Sequence, residues 1–428
     1  MVNSVDKKIL ILGGYMHMVN VVETARKMGL YTIVVDRDTD SPAKAVADKS
    51  YDVSTADIER VAEIARAESI SGVFNGFDDI NTWHALALCE KLNLPFYATK
   101  EQLEICSNKD QFKEHCRKFG VPVIEEYEIG ESLSEEDFSK FVFPVIIKPV
   151  DSYASQGITV CYSAEELKEG YAKAVRYSKS GEVIIERFID NAYGVMMFYT
   201  VLNGQIVLSA MTDRHVHKQY KEHPPLPTAT VFPSQHLDHY IKTLDADVRS
   251  MIQGMGIQNG VLFIQSLFED GHFYFYEMGF RLSGTQYYTI VEKQTGINLL
   301  GMMLDYATDG NLGQYAIDKF DYGYTKFPAC NLSILLDKGT IKEIVGLEKI
   351  KENPAVVSYI PIHHVGDHVE ITGTYAQMLG RFNIAADTKK EFNQIIHEIN
   401  NTLQVLSTEG EEMIIAHFTP AETETLAN

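Results

Sequence analysis

The stretch Phe143-Pro144-Val145-Ile146-Ile147-Lys148-Pro149-Val150-Asp151-Ser152-Tyr153-Ala154-Ser155-Gln156-Gly157 sets a short β-branched run against Lys148-Pro149, then a loop of small residues closing on Gly157. This order predicts a strand ending in a cation beside a flexible loop rich in backbone N–H donors. A polyphosphate needs both, because its charge must be neutralised and its oxygens need N–H groups at close range. Two acidic landmarks follow: Glu186, after Val183-Ile184-Ile185, and Glu277, four residues before Arg281. Together they point to a nucleotide site on an α/β scaffold.

Toward the N-terminus, residues 7 to about 105 alternate strand and helix. Lys8–Leu12, Tyr31–Val35 and Gly72–Phe74 read as strands; His17–Met28, Ile58–Ala67 and Thr82–Leu92 read as helices. Such βαβ alternation predicts a parallel sheet covered on both faces. A dinucleotide site fails on its fingerprint, because Gly13-Gly14 is followed by Tyr15, Met16 and His17 rather than by Gly-x-Gly-x-x-Gly. Asp36 therefore reads as an ordinary strand-end residue.

Toward the C-terminus, Asp110–Phe119 reads as a helix closed by Gly120-Val121-Pro122. The Phe143–Lys148 strand, the helix Ala164–Tyr177 and the strand Val183–Glu186 follow. Val261–Phe268 and Phe273–Met278 form a hairpin with an acidic end. Met211–Ser234, rich in His and Pro, reads as a long loop of the kind that carries lids or binding segments. Ala329–Leu336, Thr340–Val345 and Val356–Ile362, with a helix over Thr388–Leu403, read as a separate β-rich unit. The expected division is residues 1–105, 106–312 and 313–418, with a disordered tail over 419–428.

The net charge of −21 argues against nonspecific binding to nucleic acid or to an anionic membrane, since the field of the whole chain repels both. Lys109, Lys148 and Arg281 can still make a local anion pocket. The five cysteines are scattered and form no Cys-x-x-Cys pair, which suits reduced thiols and no zinc site. The histidines at 215, 217 and 223, and at 363, 364 and 368, lack zinc spacing and read as loop histidines. With no leader or membrane span in the pattern, the expectation is a cytoplasmic protein.

These landmarks, in this order, resemble the ATP-grasp superfamily, and most of all its carboxylate–amine ligases: the L-amino-acid (dipeptide) ligases and the relatives of biotin carboxylase and carbamoyl-phosphate synthetase. The resemblance is densest over residues 100–310. It implies an α/β (α+β) architecture: a parallel-sheet N-terminal domain, a central ATP-grasp fold and a β-rich C-terminal domain. ATP and Mg2+ (or Mn2+) are the implied cofactors. Lys109 resembles the first ATP-binding lysine and Lys148 the second. Ser155, Gln156 and Gly157 resemble the end of the phosphate-covering loop. Glu186-Arg187-Phe188-Ile189 looks like the hinge, with the carboxylate accepting from the adenine amino group and backbone of Arg187 and Ile189 reading the ring edge. Glu277 resembles a magnesium ligand, with Arg281 steadying the transferring phosphate and Ser283-Gly284 the oxyanion. Asp78 lies at a predicted strand end, where α/β sheets place ligands, and reads equally as a contact to the amine substrate or as a helix N-cap; Arg214 and Thr285 are further candidate substrate contacts.

Three positions depart from the family pattern. Gln265 stands where the first metal carboxylate belongs, Gly279 where relatives carry a ligand asparagine, and Tyr193 where an acid usually holds the ribose. The implied activity is ATP-dependent joining of a carboxylate, such as an amino acid, to an amine through an acyl-phosphate, with a homodimer as the default assembly. The alternatives are a weakened or non-catalytic ATP-binding sensor, and a carboxylase-like or purine-pathway enzyme of the same superfamily.

Overall fold

Runs of apolar residues buried on both faces build the N-terminal sheet, as parallel strands require. In the computed structural model, residues 7–130, 133–134, 136–150, 157–189, 194–217, 226–313, 315, 317, 320 and 328–419 are described. Strands β1 (Lys8–Leu12), β2 (Tyr31–Asp36), β3 (Lys49–Asp52) and β4 (Gly72–Phe74) pair in parallel in the order β3-β2-β1-β4. Helices α1 (His17–Lys27), α2 (Pro42–Val46), α3 (Ile58–Glu68) and α4 (Asp79–Leu92) connect and follow them. Ile9 and Ile11 pack into one core while Leu10 and Leu12 pack into another, so the sheet is covered on both sides. Asp36 accepts from Gly14 N–H at 2.6 Å and Asp38 N–H at 2.9 Å, the work of a strand-end residue.

Two helices lead into the centre: α5 (Lys100–Ser107), begun by a Thr99 capping box, and α6 (Lys109–Lys118), whose cap Asn108 accepts from Gln111 N–H at 3.0 Å. Next come β5 (Val145–Pro149), β6 (Thr159–Cys161) and β7 (Val183–Arg187), a three-stranded antiparallel sheet in the order β6-β5-β7. The helix Ala164–Tyr177 lays Leu167 and Ala174 against Val145, Ile147 and Ile185. Because side chains alternate along a strand, Lys148 and Glu186 must face the other way.

The rest of the core is one large sheet. It takes β8 (Gly194–Leu202), β9 (Gln205–His217), β10 (Leu226–Phe232), β11 (Gly260–Glu269), β12 (His272–Gly279), β13 (Ala329–Leu335), β15 (Val356–Pro361) and β17 (Met378–Ala385) in the order β12-β11-β8-β9-β10-β13-β17-β15. A smaller sheet holds β14 (Gly339–Val345), β16 (His368–Val369) and β18 (Gln404–Ser407).

Two expectations are corrected here. Met211–Ser234 is not a loop throughout: β9 and β10 pair antiparallel from Asp213↔Val231 to Leu226↔His217. Buried polar residues hid the strand period, for Thr212, Asp213 and His215 lie inside, Asp213 accepting from Ser234 Oγ at 2.6 Å. Pro227 is tolerated because it sits at a register shift, where a missing N–H is least costly. Nor are the C-terminal strands a free-standing β unit, since β13 pairs with β10 and carries the central sheet onward through β17 and β15. The tail from residue 420 lies outside the described residues. All five cysteines are free and buried, and among the described residues no helix is long and apolar enough to cross a membrane.

Candidate functional site

Lys148 projects from β5 onto the face it shares with Glu186 of β7, and its ammonium pairs with Glu186 Oε2. The other oxygen, Oε1, pairs with Lys113 Nζ, which also reaches Glu126. Glu126 comes alongside because residues 125–127 run along β7, with Arg187 N–H on Glu125 O at 3.0 Å and Tyr127 N–H on Ile185 O at 2.9 Å. Burial pulls the Lys148 ammonium below its usual range, against the charge of Glu186. Burial works to raise Glu186, but the ammonium groups of Lys148 and Lys113 outweigh it and leave the carboxyl below its usual range.

The hinge is therefore more occupied than its residues alone imply. Both oxygens of Glu186 already hold lysines, so the carboxylate is not a free acceptor for an adenine amino group. The Arg187 N–H is likewise taken by Glu125, and Phe188 N–H donates to Pro144 O at 3.2 Å. The Arg187 guanidinium reaches Glu269 at 2.8 Å and lies over the Tyr274 ring at 4.9 Å, which ties the hinge to the β11–β12 hairpin. Ile189 is buried. Gly157 has φ +79°, and a Cβ there would sit 2.7 Å from Pro149 Cγ, so the loop end needs glycine against β5. Ser155, Gln156 and Tyr193 lie outside the described residues.

On the hairpin, Gln265 and Glu277 are register partners, which puts them on one face. A register shift follows Gln265, and Tyr276 donates its hydroxyl to Gln265 Oε1 at 2.8 Å. Glu277 is half-buried and has no hydrogen bond or ion pair among the described residues. Burial raises its carboxyl above the usual range, with Lys109, Arg281 and Lys148 opposing and Asp79 adding to the rise. Lys109, at the start of α6, has no counter-ion among the described residues. Gly279 has a steric reason, because a Cβ there would meet the Phe263 ring at 2.4 Å. An asparagine ligand cannot occupy that position while Phe263 does.

Arg281 pairs neither with Glu277 nor into open space. Its Nε donates to Asp79 Oδ1 at 2.7 Å and its Nη2 to Asp79 Oδ2 at 3.1 Å, a fork-on-fork contact to the start of α4. The guanidinium also lies 5.1 Å over the Phe263 ring. Asp78 caps α4 by accepting from Asn81 N–H at 2.7 Å, with Tyr15 Oη at 3.5 Å, so its oxygens serve the helix end. Ser283 Oγ accepts from Thr285 N–H at 3.3 Å, which folds residues 283–285 back on themselves. Arg214 on β9 is packed against Gly194, where a Cβ would meet Nη2 at 2.7 Å, and its Nε is buried without a partner. Tyr276 foremost, with Tyr375 and Glu277, holds the Arg214 guanidinium above its usual range.

The most telling residue is one the sequence reading did not select. Arg381 on β17 is 7% exposed, donates to Gly284 O at 3.3 Å and lies 5.1 Å over the Tyr375 ring. No carboxylate faces it among the described residues, and burial lowers it from its usual range. Its charge and burial together hold His17 down at about 4, burial being the larger cause. Arg381, Tyr375, Arg214 and Glu277 thus form one electrostatically linked wall. The available signal was an arginine in a largely apolar stretch, Leu379-Gly380-Arg381-Phe382. Lys113 carried a similar one, lying four residues and so about one helical turn after Lys109.

Magnesium demands hard oxygens and keeps several waters, so one protein carboxylate beside nucleotide phosphates suffices. Glu277, a carboxylate without an ion pair among the described residues, fits that role. Gln265 is a weaker donor because its oxygen already accepts from Tyr276. Among the described residues no cluster of three or more His, Cys, Asp or Glu side chains could hold a metal without such help.

Residues 108–315 match the family described as the ATP-binding domain of the carbamoyl-phosphate synthase L chain. Two similar curated proteins are formate-dependent phosphoribosylglycinamide formyltransferases. That of Methanocaldococcus jannaschii is 29% identical over 44% of this chain and 50% of its own length. That of Sulfurisphaera tokodaii is 30% identical over 48% and 53%. The chain thus spans about half the length of the curated relatives it matches. Among solved structures, phosphoribosylglycinamide synthetase from Anaerococcus prevotii superposes with a TM-score of 0.74 at 18% identity, covering 94% of this chain and all of that one. L-amino acid ligase from Bacillus licheniformis gives 0.74 at 19% identity, covering 94% and 99%. At such identities these two show the fold.

Proposed function

We propose that residues 108–315, which match the ATP-binding domain of the carbamoyl-phosphate synthase L chain, form an ATP-grasp domain and that the protein is an ATP-dependent carboxylate–amine ligase. The observation that carries the reading is the charge arrangement at Glu277. A carboxylate without an ion pair among the described residues stands within the fields of Lys109, Lys148 and Arg281, and Arg381 on β17 likewise has no counter-ion among them. Phosphoryl transfer is mostly positioning and charge neutralisation, and these are its parts.

Lys109 and Lys148 hold phosphate oxygens of ATP, and Arg381 holds the substrate carboxylate in the fork geometry that suits two oxygens. A carboxylate oxygen attacks the γ-phosphorus, the bond to the bridging oxygen of ADP breaks, and an acyl-phosphate forms. The amine then attacks the acyl carbon, loses its proton, and phosphate departs with the carbon–oxygen bond. Arg281 and the turn at Ser283-Gly284 face the charge that develops in both steps. Glu277 would hold magnesium, which would supply charge neutralisation on the phosphates. This reading places the protein in the cytoplasm, with a homodimer as its assembly. The acid belongs to the small carboxylates, a class that includes amino acids and the formate of the curated relatives' names.

A second reading, an ATP-binding sensor, draws on one observation: the uncharged Gln265 has its oxygen already committed to Tyr276. Magnesium-dependent release of ADP and phosphate separates the two. ATP is offered with paired amino acids, formate, bicarbonate and other small carboxylates, with Lys148→Ala and Glu277→Ala as controls. Release that needs both partners and is lost in the controls is the expected result. ATP binding without turnover in any pair would favour the sensor, and no ATP binding at all would defeat both.

A further inference from the structure

Lys113 has no role in the proposed chemistry so far, yet among the described residues it is the most deeply buried cation of the site, 1% exposed on α6. The helix is rooted in the core beneath the large sheet through Phe112 and Cys116. From that base Lys113 reaches Glu186 Oε1 on β7 and Glu126 on the neighbouring segment. Lys148 takes the remaining oxygen of Glu186. Lys113, Lys148 and Glu186 are thus buried together, while Glu126 stands at the edge, partly exposed and also 3.9 Å from Arg117.

ATP asks this group for one of its members, because Lys148 must turn from Glu186 to phosphate oxygens. If Lys148 were the sole partner of Glu186, its departure would strand a buried carboxylate, and a buried charge without a partner is strongly disfavoured. With Lys113 fixed on Oε1, Glu186 stays compensated when Lys148 leaves. Resting on the ATP-binding reading above, we propose that Lys113 is a positioning residue for the nucleotide: it keeps Glu186 neutralised so that Lys148 can be handed to phosphate.

The test is a double-mutant cycle on the full chain, with Mg-ATP affinity read by calorimetry. Lys113→Met removes the charge at similar length, and Glu186→Gln removes the need for it. Lys113→Met alone should weaken ATP by about tenfold, while Lys113→Arg should stay within about threefold of the natural protein. In the Glu186→Gln background, Lys113→Met should cost less than about threefold, because no carboxylate is left to strand. A purely structural lysine would instead show a similar loss in both backgrounds.

Folding of each variant is checked by thermal melting. If Lys113→Met alone does not fold, the comparison within the Glu186→Gln background still decides, since a tenfold loss there overturns the proposal. So does ATP affinity within about twofold of the natural protein in folded Lys113→Met. Natural protein that binds no ATP would overturn the ligase reading and this inference together. ATP binding by the natural protein that is indifferent to Lys113 would overturn this inference alone.

Discussion

Replacing Arg381 by methionine should raise the KM for the carboxylic acid and leave ATP affinity nearly untouched. The guanidinium is 7% exposed, its one hydrogen bond is a 3.3 Å contact to Gly284 O, and no acidic side chain faces it among the described residues. A cation held this way is compensated when an anion arrives, and a charge-assisted hydrogen bond contributes about 1.5–3 kcal/mol. At 1.4 kcal/mol per tenfold, one such contact corresponds to a KM rise of about 10- to 150-fold. Lys109 and Lys148 lie on other elements, so the ATP dissociation constant should move by less than about twofold. Methionine fills much of the same volume and removes a buried charge, so melting should change little. Lys in place of Arg keeps the charge but loses the fork, and should fall between. The assay titrates the acid at saturating ATP, with ADP release as the readout. An unchanged acid KM in a folded Arg381→Met protein, or an equal loss of ATP affinity, would refute the assignment.

Gln265→Glu places a second carboxylate opposite Glu277 and should lower the magnesium concentration needed for half-maximal ADP release by about tenfold, read in a metal titration. A folded Gln265→Glu protein without that shift would argue against metal at this pair. His17 should titrate at about 4, read by NMR, with His17→Gln supplying the assignment; in Arg381→Met its midpoint should rise, because a cation that disfavours the imidazolium is gone. Since burial depresses this histidine in the folded state, its contribution to stability is present above its unfolded pKa and is lost as pH falls from about 6.5 toward about 4. Gly72→Ala would put a Cβ 2.0 Å from Ala307 O, a backbone atom that cannot turn aside, and should destabilise by about 1–3 kcal/mol in denaturant unfolding.

What the sequence displayed were short-range relations. Lys148 with its proline and glycine loop, the helix closed by Gly120-Val121-Pro122, and the hairpin with its acidic end each declare themselves within a few residues. The partners that decide each side chain's role are distant. Arg281 meets Asp79 across 202 positions, Lys113 meets Glu186 across 73, and Arg381 meets Gly284 across 97. No local pattern encodes such a contact; it follows from sheet order, above all from β13 and β17 continuing the central sheet. β9 was obscured for a different reason, since its buried polar residues Thr212, Asp213 and His215 break the apolar alternation that marks a strand. Gly279 shows the same limit in reverse: the missing ligand was visible, but its cause, the Phe263 ring from the partner strand, was not.

The charge of −21 is a poor guide to what the cleft attracts. Screening at physiological salt acts over about 8 Å, so a bound anion senses its immediate wall far more than the whole surface. That wall contains cations of two kinds. Lys148 and Arg281 are already paired, with Glu186 and Asp79, whereas Lys109, Arg214 and Arg381 face no carboxylate in ion-pair contact among the described residues. An anion meeting the second kind gains its attraction at once; one meeting the first kind must compete with a carboxylate already in place. Among the described residues neither Arg381 nor Arg214 faces a carboxylate in ion-pair contact, although Arg214 bonds Tyr276, so on the proposed reading the acid displaces no anion when it binds. On the same proposed reading, ATP gains Lys109 freely but must draw Lys148 away from Glu186. Nucleotide binding therefore carries a rearrangement that acid binding does not, and Lys113, sharing Glu186 with Lys148, lies where that rearrangement can be eased.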